Sequence, residues 1–305
     1  MNISWDDAKP TKTHMGIAKL VKEGLTKFVI SQNIDGLHLR SGIPRGNLAE
    51  LHGNMFVDEC SMCKKMFVRP DAASTVGRKI SNESCKAKGK KPCRGKLRDF
   101  VLDWEDELPD EDLTLSLSHS TLSELSIVIG STLQIIPAGN MPTFTKKSSE
   151  GKLVIINLQP TKHDKKADLI IRAYADEVFE MLFEKLGLPI PEYNEKEDPV
   201  KQMKASPNDV KDYTQSKALA KEWEVKSGKL SAKLKEQRKK QKSQTNGSSS
   251  NGSDIKHETE DSKEPLNNSH ATNGGCDPKL EPMKEEDHHE YVPEKKPKLE
   301  DAVSS

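Results

Sequence analysis

Residues Ile30–Gly42 read ISQNIDGLHLRSG. The stretch starts β-branched, breaks into Gln32, Asn33 and Asp35, and reaches Gly36. Two readings fit it. One is a strand end made of turn-forming residues; the other is a buried strand that presents polar groups to a ligand. The rest of the chain decides between them. Four short apolar runs read as strands: KFVISQ (Lys27–Gln32), LSIVIG (Leu125–Gly130), KLVIIN (Lys152–Asn157) and DLIIRA (Asp168–Ala173). They are continuously apolar, not alternating, which is the pattern of a parallel sheet covered on both faces. Helical patterns lie around them at 13–25, 110–125, 140–151 and 175–187, the last stopped by Gly187. Strand and helix alternating at this spacing predict a doubly wound, Rossmann-like α/β sheet.

Sheets of this kind bind ligands at the carboxyl ends of their strands. Three of those ends finish in small or polar groups: Gln32-Asn33-Ile34-Asp35, Gly130-Ser131-Thr132 and Asn157-Leu158-Gln159. Hydroxyls and amides suit ribose and phosphate. Three such ends on one edge predict a nucleotide crevice.

Over 305 residues, hydrophobic content is 33%, charged 31% and aromatic 5%, with zero formal net charge. Averages like these predict a folded part diluted by a disordered one. Composition shifts near Pro191, so the folded domain is expected at 1–191 and a disordered, charged tail at 192–305. SQTNGSSSNGSD (Ser243–Asp254) is low complexity. There is no apolar run long enough for a membrane span, and MNISWDDAKP is not a secretory signal. The expectation is an intracellular, reducing location with no membrane partner. Five cysteines there read as thiols or metal ligands, not disulfides.

Four of them, Cys60, Cys63, Cys85 and Cys93, follow the spacing C-x2-C-x21-C-x7-C. Paired knuckles about twenty residues apart predict a four-thiolate zinc site, closed and therefore structural. The alternative is four unrelated thiols. The module, about 54–100, is rich in Lys, Arg, Ser and Gly, so metal is expected to organise it in place of a core. Cys276 stands alone. Between Lys217 and Lys242, Leu219, Trp223, Leu230 and Leu234 form one stripe of a basic helix. That helix reads as a nucleic-acid or partner contact, or as a solvated linker. KEQRKKQK (Lys235–Lys242) and EKKPKLE (Glu294–Glu300) are basic clusters of nuclear-localisation type.

His52, in LAELHGNMF, is by itself no more than a lone histidine. In company it carries a resemblance. SQNIDGLHLRSG, ELHGNMF, the cysteine spacing, GSTLQIIPAGN and KLVIINLQPTKHDKKADL together resemble the sirtuins, NAD-dependent protein deacylases, over about Ala8–Pro191. LHGNMFVDEC, LRDFVLDWEDELPD and NLQPTKHD are most similar to a nuclear, chromatin-associated branch of that family. The resemblance implies that His52 is the general base, with Asn33 beside it in catalysis. It implies that Gln32 and Asn33 hold the nicotinamide ribose and Asp35 the carboxamide. Gly130, Ser131, Thr132, Asn157, Leu158 and Gln159 match cofactor contacts, and Ala175 the adenine end. Asp103-Trp104-Glu105 matches a strand edge and wall that receive the acyl-lysine peptide. The implied cofactors are NAD and Zn2+. The implied substrates are acylated histone tails and other acyl-lysine proteins, with mono-ADP-ribosyl transfer as a further reaction. A nuclear address, with chromatin or nucleosome contact through the basic tail, follows from the same likeness. In the family the acyl oxygen attacks C1′ of the ribose as nicotinamide leaves, and the base takes a ribose hydroxyl proton. A histidine suits that task because its pKa lies near working pH.

One part of the family pattern has no match. Sirtuins open with a strand, a loop of type GAGxS and a stretch of type GIPDFRG, whose backbone amides cradle the pyrophosphate. SGIPRGN (Ser41–Asn47) shares letters with it but follows the QNID strand. The expectation is a shortened domain and an impaired deacylase. The alternative is a catalytically inactive, zinc-containing protein that binds chromatin or another partner.

Overall fold

The structure is a computed structural model that describes residues 4–89, 91–147 and 150–245. Helix α1 (Lys12–Lys22) starts at a capping box between Thr11 and His14 and buries Ile17, Leu20 and Val21. It is followed by β1 (Val29–Ser31), the short helix α2 (Leu37–Arg40) and β2 (Leu48–Glu50). β1 and β2 pair in parallel, with Ser31 opposite Glu50. Then come β3 (Gly53–Cys60), β4 (Met66–Val68), β5 (Ile80–Ser84) and β6 (Lys96–Val101). These four make an antiparallel sheet in the order β4-β3-β6-β5. Helix α3 (Asp110–Leu122) leads into β7 (Leu125–Ile129), β8 (Lys152–Ile156) and β9 (Leu169–Ile171), a parallel sheet in that order. Helices α4 (Ala175–Leu186), α5 (Pro199–Ala205) and α6 (Lys217–Thr245) complete the described chain. Phe179 and Phe183 of α4 pack on α1, and a Cβ at Gly16 would come within 2.8 Å of the Phe179 ring.

All four predicted strands form, and every pairing among β1, β2 and β7–β9 is parallel. The structure departs from the sequence-based expectation in four ways. The parallel strands form two separate groups, and one face of the three-stranded one is only partly covered, at Ile129 and Ile156 near its carboxyl end. Val128, Leu133, Leu153 and Ile155 cluster on the opposite face. On the partly covered face Leu125 is 52%, Ile127 45% and Leu169 52% exposed. Apolar strands therefore do not guarantee two covered faces. The expected helix at 140–151 is instead a run of 3₁₀ turns over Ala138–Lys147, with Pro142 inside it.

The cysteine module does have a core. Every residue of β3 is buried, and Met55, Phe56, Val57, Met66, Val68, Phe100 and Val101 form one cluster. Partners in that cluster come from beyond the expected boundary: Val200, Met203 and Tyr213. The folded part does not end at Pro191. Asp198 caps α5 and makes an ion pair with Arg40, both side chains fully buried. The apolar stripe of α6 faces α3. Trp223 lies 4.0 Å from the His119 ring, which stacks on Phe28 at 4.2 Å, and Ser227 donates to Ser118. Residues 246–305, with Cys276 and the cluster at Glu294–Glu300, lie outside the described residues. Among the described residues no helix is long and apolar enough to cross a membrane.

Candidate active site and four-cysteine centre

β1 and β2 carry His52 to its place. Leu51 donates to the Ser31 carbonyl at 3.0 Å, continuing the parallel pairing by one residue. His52 follows, with Nδ1 2.8 Å from the Gln32 carbonyl. A carbonyl only accepts, so Nδ1 carries the hydrogen, and in the neutral ring Nε2 is the acceptor. Gly53 is required next. Its φ is +90°, and a Cβ there would fall 2.0 Å from the Phe100 carbonyl oxygen.

Leu102 donates to the His52 carbonyl at 3.1 Å, which brings the end of β6 beside the histidine. Asp103, Trp104 and Glu105 are not on a strand edge: β6 stops at Val101 and they form a turn. The Asp103 amide donates to Asp106, the Trp104 amide donates to the Asp103 carboxylate, and Trp104 is 87% exposed.

Gln32 links two strand ends. Its Nε2 donates to Ser131 Oγ at 3.4 Å, joining the carboxyl end of β1 to that of β7. The Asn33 amide donates to Ser31 Oγ, and Asp35 accepts from the Leu37 amide at 2.9 Å, starting α2. Gly130, Thr132, Asn157, Leu158, Gln159 and Ala175 line one cleft of about 390 Å³. The cleft also contains Tyr174, and Arg172 donates to the carbonyls of two of its lining residues, Asn157 and Gln159, at 3.0 and 2.9 Å. Neither Arg172 nor Tyr174 was singled out by sequence.

A buried polar network behind His52 was also missed. Glu50 accepts from Asn54 Nδ2 at 2.7 Å and from the Tyr213 hydroxyl at 3.0 Å. Its backbone amide donates to Asp112, which Arg45 holds with two bonds of 2.7 and 2.6 Å. Burial pushes the Glu50 carboxyl up to about 7; Arg45 opposes that shift and Asp112 adds to it. The signal available in sequence was a glutamate and an asparagine four residues apart, flanking Leu51-His52-Gly53.

The four sulfurs meet as the spacing predicts. All lie within 4.8 Å of one another, with Cys60–Cys93 at 3.7 Å and Cys63–Cys85 at 3.6 Å. A zinc tetrahedron with bonds of about 2.3 Å has edges of about 3.8 Å, so the donors fit the ion. The amides of Cys63, Ala87 and Gly95 each donate to a sulfur at 3.4 Å, support of the kind thiolate ligands need. A Cβ at Gly95 would sit 2.4 Å from Cys60 Sγ. With four sulfur ligands the centre is closed, which is a structural arrangement.

Parallel strands with polar carboxyl ends, a tautomer-fixed histidine beside them and an inserted four-thiolate module define an α/β protein of the dinucleotide-crevice class. Residues 1–137 match the model of the Sir2 family and make up a Sir2 family domain. The chain is 51% identical over 207 residues to the NAD-dependent protein deacetylase Sirt6 of Drosophila melanogaster, covering 67% of this chain and 65% of that one. It is 44% identical over 186 residues to the NAD-dependent protein deacetylase SRT1 of Arabidopsis thaliana, covering 61% and 38%. The crystal structure of a Sir2 homolog–NAD complex superposes with a TM-score of 0.50 at 28% identity, covering 60% of this chain and 67% of that one. The chain thus spans less than two thirds of the length of these curated relatives.

Proposed function

We propose that the site is that of an NAD-dependent protein-lysine deacylase. The observation that carries this reading is the bond from His52 Nδ1–H to the Gln32 carbonyl. It leaves Nε2 free to take a proton at the spot where β1, β6 and β7 bring their ends together. NAD would supply a ribose carbon to bond the acyl oxygen and nicotinamide as the leaving group. The chain's own residues do the rest. Gln32 and Asn33 hold the ribose, Asp35 orients the carboxamide, and the residues of the β7–β8 cleft, with Ala175 at the start of α4, hold the remainder. His52 Nε2 withdraws the hydroxyl proton. Asp103, Trp104 and Glu105 receive the acyl-lysine, and the exposure of Trp104 supports a role for its ring in covering that side chain. The four cysteines would hold zinc, which would brace the module and take no part in the reaction. The names of the fly and plant relatives support the deacetylase reading.

The finer reading is a nuclear enzyme that acts on histone tails and contacts chromatin through the basic end of α6. For these 305 residues it includes weak NAD binding, because no loop of the phosphate-cradling type occurs among them. Losing two or three charge-assisted hydrogen bonds, at about 1.5 to 3 kcal/mol each, lowers affinity by orders of magnitude. A non-catalytic, partner-binding role is the second reading, favoured by the divided parallel sheet and the exposed Leu125, Ile127 and Leu169 on its partly covered face. The test is NAD-dependent nicotinamide release with an acetylated histone-tail peptide, in a chain given a family-type strand and loop ahead of Met1. His52→Tyr should abolish release and leave zinc content unchanged. Retention of a tenth of the rate would remove His52 from the role of base.

A further inference from the structure

Leu51 and His52 form a two-residue link between β2 and β3, and the residues flanking it close on each other. Asn54 Nδ2 donates to Glu50 Oε1 at 2.7 Å, across the histidine. Both residues are shut from water, Glu50 at 2% exposure and Asn54 at 0%. The far end of Asn54, Oδ1, accepts from the Phe56 amide and lies under Gly36, where a Cβ would approach it to 2.8 Å. The same bridge therefore supports the turn that follows Gln32, Asn33 and Asp35.

The second oxygen of Glu50 is held from outside the sheet. Tyr213, between α5 and α6, donates its hydroxyl to Oε2 at 3.0 Å. Its ring faces the Arg45 guanidinium at 4.8 Å, and its carbonyl accepts from Arg45 Nε at 3.2 Å. Gln215 donates to the Leu48 carbonyl at 3.1 Å. Segment 213–215 thus grips β2 at both ends, and it lies beyond the residues that match the family model.

We infer that Tyr213 is a positioning residue for His52, acting through Glu50 and Asn54. Without the hydroxyl, Glu50 Oε2 becomes a buried acceptor with one partner lost. A group left that way moves or takes up a proton to relieve the cost. Either response loosens the bond to Asn54, and with it the link that holds His52 Nδ1 against the Gln32 carbonyl. The catalytic meaning of this rests on the reading of His52 as base, but the geometry itself can be measured in a chain with no activity.

The experiment is a two-bond proton–nitrogen correlation on the full chain labelled with ¹⁵N-histidine at pH 8, with His52 assigned by the signal missing in His52→Gln. The wild-type ring should show one tautomer, hydrogen on Nδ1, with its two nitrogen shifts far apart. In Tyr213→Phe and in Glu50→Gln the two shifts should move toward each other as the tautomers mix, while zinc content holds at one equivalent. An unchanged His52 pattern in either folded variant overturns the inference. Unfolding of both variants also overturns it, because these contacts would then be holding the core and not the histidine. The readout does not depend on turnover, so failure of the deacylase reading and failure of this one remain distinct.

Discussion

Glu50 shows what a single buried carboxyl does to the pH dependence of this fold. Its pKa stands at about 7 when folded, against 4.5 for an ordinary glutamate, because burial penalises the charge. Between those values the folded state binds more protons than the unfolded one, so stability falls as pH rises from about 4.5 to about 7. The whole effect is about 3 kcal/mol. Glu50→Gln has no such titration. Its stability relative to wild type should improve by up to that amount across the window, read as urea midpoints at successive pH values. Parallel curves for the two proteins would mean that Glu50 stays ionised when folded. Cavity effects act at the same scale. Trp223 sandwiches His119 against Phe28, and Trp223→Ala should cost about 1 to 3 kcal/mol because the ring is only half-buried. A change below about 0.3 kcal/mol would show α6 resting on α3 without stabilising it.

Elements divide into those whose pattern is local and those whose partners are distant. The strands at β1, β7, β8 and β9 were legible because continuous apolar runs have few other uses, and α4 because Gly187 ends it with a φ of +64°. The cysteine knuckles were legible because metal spacing is a local rule. Strands β2 to β6 were not. They are short or mix polar and apolar residues without a clear period, and what buries Glu50, Asp58, Glu59 and Asp99 is pairing with Asn54, Arg69, Arg98 and Thr75, which no single window of sequence reveals. The same reason hid α5. Its seven residues look like tail, yet Val200 and Met203 complete a core built mostly from β3, β4 and β6. The cysteine centre yields a direct prediction: purified, unchelated chain should carry about one equivalent of zinc, and Cys85→Ser should lose most of it. Less than half an equivalent in folded wild type would contradict the four-thiolate assignment. Because the module also has an apolar core, chelation should lower its melting temperature without abolishing the β3–β6 pairing.

At the scale of the molecule, two truncations separate domain from tail. Ending the chain after Thr245 should leave the melting transition nearly unchanged. Ending it after Pro191 removes Val200, Met203 and Tyr213 from the core. Large buried side chains cost about 2 to 5 kcal/mol each, and a domain has only about 5 to 15 kcal/mol to lose. That shorter chain should lose its cooperative melt. An unchanged transition would restore the boundary at Pro191.

At this scale Gln32 and Ser131 hold two groups of polar strand ends together, and on the proposed reading both would serve one cofactor. Bringing C1′ within near-attack distance of an acyl oxygen needs both groups and a firm hold on the phosphates. The decisive measurement is turnover of an acetylated histone-tail peptide at saturating NAD, run on the 305-residue chain and on the same chain with a family-type strand and loop placed ahead of Met1. The account predicts turnover in the extended chain, lost in His52→Tyr, and a far lower maximal rate in the 305-residue chain that added NAD does not rescue. Equal maximal rates in the two chains, or a rate in the extended chain indifferent to His52, would contradict it.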